Sequence, residues 1–471
     1  MTSYITVCSR VARLRRAALV VSLTFVAAGA ITMAACTSTQ DILQVVDPDL
    51  INPVDVQSAA GANAVRLGAL QRLTTATSGG ELFLLSGLLG DEWNNGDSYI
   101  DRQAVDERVI NNANSFLLTA NRSIFRARLS ATQAIDLLKQ FNPLGPAADV
   151  AEMFYVRAYL ENIIGEDYCN GVVLSTVVNG IEQYGSPTTT VVVFQTALAH
   201  ADSGIALITG TAANDLKILY ALQVVRGRIL VNLDRKPEAA VAVAAVPTSF
   251  KYVRLNSVLL TGASTNQIWS FNNVARRYSV STAEGTNGLN FATANDPRLP
   301  ICQGGDVVCK ANGVTLKVRD DASAFPLYIQ LLWPTGDSSV TISSGTEARM
   351  IEAEAAYKAG NTVLFIQKLN QARTEGGVAG LAANLTDPGT NVTRENLLFR
   401  ERAFWLFGRG YRLGDMRRLI RQYGRGAETV FPTGPWHKGG NYGTDVNFPV
   451  PQAEANNPNT TGPDLCTDHN A

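Results

Sequence analysis

Apolar side chains recur every three to four positions over residues 114–141, 147–164, 190–208 and 212–233, and this period predicts four long helices. Asn52-Pro53 reads as the N-cap and first position of an earlier helix running to about Leu73. The stretch from Gly79 to Asn112 is loop-rich and holds the polar and aromatic run Asp91 to Tyr99. Between about Pro247 and Ser343 the helical period is lost and Gly, Asn and Pro accumulate. Short β-branched runs such as Val314 to Val318 then predict an insert of loops and strands. Helical spacing returns with Ala348, Ile351, Ala355 and Ala359, followed by Gly360 where a C-cap takes positive φ. Further on, Thr393 is a cap with Glu395 in the first turn, and Leu397, Leu398, Phe404 and Trp405 share one face. The segments 226–240 and 352–363 each read as helix, tight turn, helix, with small residues on the packing side. That is the logic of tetratricopeptide-type helix pairs, here split by insertions.

The N-terminus has a different pattern. Arg10, Arg13, Arg15 and Arg16 precede an apolar run, Ala17 to Thr32, and then Met33-Ala34-Ala35-Cys36. The run is about 16 residues, short of the roughly 20 that span a bilayer. Elsewhere no segment reads as long and apolar enough to cross one. The N-terminal pattern resembles the bacterial lipobox, with Met33 where Leu is usual. The resemblance implies that residues 1–35 are a signal peptide and that the Cys36 thiol carries a diacylglycerol, two acyl chains such as palmitate then holding the mature chain at the membrane. It further implies that 36–52 is a lipidated linker, and the lack of Asp at Thr37 points to the outer membrane.

The whole chain has a formal charge of −1, and loss of the four signal arginines makes it −5, which argues against nucleic acid as a partner. Besides Cys36, the mature chain keeps Cys169, Cys302, Cys309 and Cys466, an even number in an exported protein. Cys302 and Cys309 flank a Gly-rich stretch able to fold back, which predicts one disulfide and leaves Cys169 for Cys466. Zinc is the rival reading, but the spacing exceeds that of paired ligands and only His200, His437 and His469 could complete a site. Gly408, Gly410 and Gly414 follow a helix and do not make a dinucleotide fingerprint, so no cofactor or metal is expected. Arg412, Asp415, Arg417 and Arg418 lie at helical spacing, where buried opposite charges pair with each other.

The C-terminal block nevertheless carries a resemblance. Glu401, Arg402, Gly410, Arg412, Asp415, Arg417 and Arg418 match the E-R-x-x-E-L-x-x-E-G-H-R-x-x-D-L-R-R pattern of the SusD/RagB family of surface nutrient-binding lipoproteins. Arg409, Tyr411 and Leu413-Gly414 depart from it. Phe448 to Asn459 resembles that family's near-terminal P-I-P-x-x-E-x-x-x-N-P-N, Asp296-Pro297-Arg298 its D-P-R, and Glu347 to Arg373 its A-E-A and L-N-x-x-R helix pair. Together they span most of the mature chain and mark a divergent branch.

The resemblance implies a mainly α fold of tetratricopeptide-like helix pairs forming a curved scaffold. Residues 53–471 would be one domain, with the loop- and short-strand-rich insert at about 247–343. It also implies a non-catalytic protein, lipid-anchored in the outer membrane, that captures a nutrient, often a glycan, for a TonB-dependent transporter. Sugar faces stack on aromatic rings and hydroxyls pair with planar polar groups. Trp93, Asn94, Asp97, Tyr99 and Arg102 in one loop, and Trp269, Asn272, Asn273 and Tyr278 in another, offer that mixture. Core packing is the plain alternative for each ring. Two other functions compete: an envelope scaffold that binds no nutrient, and a surface glycoside hydrolase using two carboxylates, for which no nucleophile motif is present.

Overall fold

A computed structural model of the chain describes residues 56–178, 181–259, 264–313, 317–461 and 465–471. The lipobox with Cys36, the linker, Asn52-Pro53 and residues 314–316 of the β-branched run lie outside these.

Residues Gln57–Ala471 form one unit, and 51% of the chain is helical, so the fold class is mainly α. Helix α1 spans Ala59–Ala76 and starts where the Ser58 hydroxyl accepts from Gly61 N–H at 3.0 Å. Helices α2 (Leu82–Leu89) and α3 (Ile100–Asp106) occupy the stretch expected to be loop. All eight residues of α2 are buried, and a helix covered on every side shows no amphipathic period to read. The four long helices fall as the spacing predicts: α4 Ser115–Phe141, α5 Ala147–Asp167, α6 Thr190–Leu207 and α7 Ala213–Asn232. They are followed by α8 (Lys236–Val243), α9 (Gly345–Lys358), α10 (Thr362–Glu375), α11 (Asn391–Leu406) and α12 (Arg412–Tyr423).

Neighbouring helices pack as tetratricopeptide-like pairs, α7 on α8 and α9 on α10, with α8 against α9 joining the two. Helix α5 is the hub, packed by α1, α4, α6, α7 and α12. Its three buried glutamates are paired: Glu161 with Arg128 at 2.7 Å and His200 at 2.5 Å, Glu152 with Arg66 at 2.6 Å, and Glu166 with Arg228. Pairing is what makes burial of such charges tolerable.

Two further details differ from the sequence reading. Helix α6 has a mean hydropathy of 1.2 over its 18 residues, enough by length and composition for a membrane span. Its Val193, Phe194, Ala197, Ala201 and Gly204 form a buried stripe, and the helix packs between α5 and α7. At α11 the cap is Thr390, and Thr393 is the third helical residue, the two hydroxyls closing a capping box.

The insert hangs from a narrow neck. Strand Lys251–Arg254 pairs antiparallel with Val340–Ser344, bringing its two ends together. Gly345 follows directly, donating to the Phe250 carbonyl at 2.8 Å, and a Cβ there would lie 1.9 Å from the Pro247 oxygen. Inside the insert, Ile301–Gln303 pairs with Tyr328–Gln330, and Cys302 is bonded to Cys309. Cys169, beyond α5, is bonded to Cys466 of the C-terminal tail, and Asn170 beside it holds Asp468 at 2.9 and 3.0 Å.

Candidate functional site

The antiparallel pair of Trp93–Asn95 with Tyr278–Val280 brings the two aromatic and polar segments into contact, Asn94 lying opposite Ser279. Alternation along a strand then sorts the side chains between inside and outside. Trp93 is 0% exposed, its ring 4.9 Å from that of Phe407. Gly87 and Gly408 wall it in, since Cβ atoms there would stand 2.7 and 3.4 Å from the indole. Trp93 is therefore core, not a ligand platform.

Most of its predicted companions are internal as well. Tyr278 is buried with its hydroxyl on Glu81 at 3.2 Å. The buried Asn272 amide donates to the Tyr278 and Tyr328 carbonyls at 2.8 and 3.0 Å and accepts from Gln330 N–H at 2.9 Å. Asp97 and Arg102 form a buried pair at 2.7 Å. The Arg102 guanidinium also forks onto Glu81 at 2.8 and 2.5 Å and lies 3.8 Å from the Phe116 ring centroid. These groups satisfy one another and have little left to offer a ligand. Among the predicted residues only Asn94, Tyr99 and Trp269 keep exposed surface, Tyr99 at 50%. Only Asn94 of those three lines the cleft beside the strand pair.

That cleft, of about 150 Å³, is walled by Asn94, Ser279, Phe325, Tyr328 and His437. The Phe325 and His437 rings meet edge to face at 5.1 Å. Phe325, Tyr328 and His437 come from the insert and a C-terminal loop, and only tertiary topology places them beside Asn94. Two aromatics three residues apart around Pro326 were the signal in the sequence. Lys438 runs beneath, donating to Asn95 Oδ1 at 2.5 Å and to the Asp97 carbonyl, and burial lowers its pKa. Behind the wall, burial raises the pKa of Asp106, and burial together with the Asp106 and Asp91 charges raises that of Glu284.

A larger groove of about 430 Å³ lies between α4 and the hairpin Thr176–Val178/Ile181–Gln183, with Phe125 and the 51% exposed Tyr184 among its walls. The near-terminal asparagines hold it in place. Asn459 donates to the Tyr184 carbonyl at 2.8 Å, and Asn457 to that of Gly185 at 3.2 Å.

The remaining motif residues are architectural. Arg402 forks onto Asp415 at 2.7 and 2.9 Å, and Arg418 bridges Asp415, at 2.7 Å, and Glu354. Burial alone would raise the Asp415 pKa, but Arg402 and Arg418 outweigh it and bring it down to about 2. Arg412 forks onto Asp91 at 2.6 and 2.8 Å, and Arg417 donates to the Glu166 carbonyl at 2.5 Å. Arg298 joins Asp296 to Glu401, each at 2.7 Å, and Arg373 reaches the same Glu401 at 2.6 Å. Each of these arginines is paired with a carboxylate except Arg417, which is buried and, among the described residues, bonded only to carbonyls.

No protein-family model and no curated protein matches the sequence. Solved structures do. A SusD-like carbohydrate binding protein from Bacteroides fragilis aligns over 85% of this chain and 98% of its own, with a TM-score of 0.62 at 12% identity. A SusD superfamily protein from Parabacteroides distasonis gives the same coverage and TM-score at 13% identity. One from Bacteroides vulgatus covers 86% of this chain and 98% of its own, at TM-score 0.57 and 16% identity. With most of both chains superposed at so little identity, this protein has the SusD-superfamily fold in a divergent sequence.

Proposed function

We propose that this protein captures a nutrient, a glycan by preference, at the outer-membrane surface and passes it unchanged to a TonB-dependent transporter while held by a lipid on Cys36. The observation that carries the reading is the likeness, along nearly the whole chain, to a SusD-like carbohydrate binding protein. The cleft supports it: Phe325 and Tyr328 present ring surface beside the planar amide of Asn94 and the imidazole of His437. Rings beside a few fixed polar groups suit a sugar, whose C–H face stacks while its hydroxyls are read at the edge. Catalysis is not part of the reading. Among the described residues the one acid lining this cleft, Asp320, is buried and accepts from the Ala324 and Phe325 N–H groups at 2.9 and 3.4 Å.

Delivery is tested by affinity capture of the tagged full chain from detergent-solubilised envelope, with mass spectrometry of what comes with it. A TonB-dependent β-barrel should be recovered with the intact protein. With Cys36→Ser, the protein should leave the membrane fraction. Capture of no barrel would contradict delivery, and a membrane-bound Cys36→Ser protein would contradict the lipid anchor.

A further inference from the structure

Behind the cleft wall, three side chains from distant parts of the sequence converge: Asp106 at the end of α3, Glu284 in the insert and His437 in the C-terminal loop. One ligand atom from each lies within 4.8 Å of the others. Asp106 is 1% exposed and Glu284 2%.

In each residue the second polar atom is already held. Asp106 Oδ2 accepts from the Trp436 indole N–H at 2.9 Å and from Asn95 N–H at 3.3 Å. Glu284 Oε1 accepts from the Asn94 amide at 2.6 Å. His437 Nε2 lies 3.1 Å from the Asn95 carbonyl oxygen. A carbonyl can only accept, so Nε2 carries a proton; in the neutral imidazole Nδ1 then keeps its lone pair, 3.6 Å from Asp106 Oδ2. That leaves Asp106 Oδ1, Glu284 Oε2 and His437 Nδ1, all buried and accepting no hydrogen bond from an N–H or hydroxyl among the described residues, with the two carboxyl groups in hydrogen-bonding reach of each other. Two carboxylates and an imidazole lone pair gathered in a buried space repel unless something positive sits between them. The nearest ammonium, Lys438, directs its donors to Asn95 and to the Asp97 carbonyl. The Tyr442 hydroxyl, close enough to feel both carboxylates, is also without a partner. A proton shared by the two carboxyl groups would satisfy them and leave His437 Nδ1 with only Asp106 Oδ2, 3.6 Å away.

We propose that Asp106, Glu284 and His437 bind a divalent transition-metal ion of the Zn²⁺ class. One imidazole nitrogen and two carboxylate oxygens suit such an ion, whereas Ca²⁺ and Mg²⁺ favour all-oxygen sets. A ligating histidine commonly donates its other ring N–H to a carbonyl, as His437 does here to Asn95. Entry is through the cleft, whose wall includes His437. The ion would tie α3, the insert and the C-terminal loop together and so fix Asn94 and His437 at the cleft. The ligands' wide separation in sequence is why no spacing motif announces them. The site stands whether or not the cleft takes a glycan.

The purified full chain, stripped with EDTA and dialysed, is titrated with ZnCl2 by calorimetry, with CaCl2 as the comparison and thermal unfolding followed in parallel. One Zn²⁺ per chain should bind, raise the Tm and be preferred over Ca²⁺, and Co²⁺ in its place should give visible absorption bands. His437→Gln should weaken Zn²⁺ binding by about 100-fold or more and abolish the Co²⁺ bands, with the metal-free Tm little changed. Should that variant not fold, Glu284→Gln read in the same titration replaces it and should weaken binding likewise. No stoichiometric uptake by the unaltered chain would overturn the proposal in favour of a shared proton. Equal Zn²⁺ affinity in the folded variant would overturn it by placing the ion elsewhere, as at His200 or His469.

Discussion

Trp93 shows how one residue type serves two opposite purposes. Next to Asn94, Asp97 and Tyr99 it reads as a sugar platform, yet pairing with Val280 turns its ring inward against Phe407. Composition cannot separate a ligand loop from a buried polar knot, because both need aromatic rings with hydrogen-bonding neighbours. Strand register separates them, and the partner strand lies far along the chain. Trp93→Ala should therefore cost about 3–5 kcal/mol of folding stability, read as a lower denaturation midpoint in urea; an unchanged midpoint would return Trp93 to the surface. Its neighbour Glu92 makes a prediction in pH. Burial, partly offset by the Gly408 N–H at 2.9 Å, raises its pKa from 4.5 to about 8. The unfolded chain thus ionises near 4.5 while the native one keeps its proton to about 8. This contribution to stability is present below 4.5 and lost as pH rises to 8. Glu347, raised to about 7 chiefly by burial, acts with the same sign. Glu92→Gln should unfold at a higher temperature than the parent at pH 8.5, with the gap closing by pH 5. A gap independent of pH would contradict the assignment.

At the scale of elements, what could be read was local. Asn114 caps α4 by accepting from Phe116 and Leu117 N–H, both at 3.1 Å, and the apolar period carries the helix to Phe141. Helix α2 was hidden because its surroundings bury every face. The role of the arginines in α11 and α12 was half legible: opposite charges at helical spacing implied pairing, but their partners Glu354 and Asp91 are remote in sequence. This network locks α12 to α9, α11 and α2. Arg402→Met removes the fork on Asp415 and leaves a buried carboxylate with Arg418 alone. Loss of about 3–5 kcal/mol is expected, the usual cost of breaking one side of a buried pair, with urea denaturation as the measure. The Cys169–Cys466 bond closes a far longer loop than Cys302–Cys309. In the chain-entropy account the longer loop constrains the unfolded state more. Cys169→Ala with Cys466→Ala should accordingly lower the midpoint more than Cys302→Ala with Cys309→Ala.

Across the whole molecule, helix pairs packed around α5 form the frame, and the insert on its neck is laid against it so that Phe325 and Tyr328 meet Asn94 and His437. The frame was visible in periodicity and in the family-like motifs, because both are written in contiguous sequence. The cleft was not, since its walls come from three separated segments. If the protein captures glycans, those two rings should carry the binding, and the larger groove beside Tyr184 should matter little. The most direct test is retention on affinity gels containing soluble polysaccharides, run with the unaltered chain, Phe325→Ala/Tyr328→Ala and Tyr184→Ala. Aromatic contacts worth about 0.5–1.5 kcal/mol each predict a weakening of roughly 5- to 150-fold for the double variant, with Tyr184→Ala like the parent. Retention of the double variant equal to that of the parent, on a glycan that the parent binds, would contradict the account.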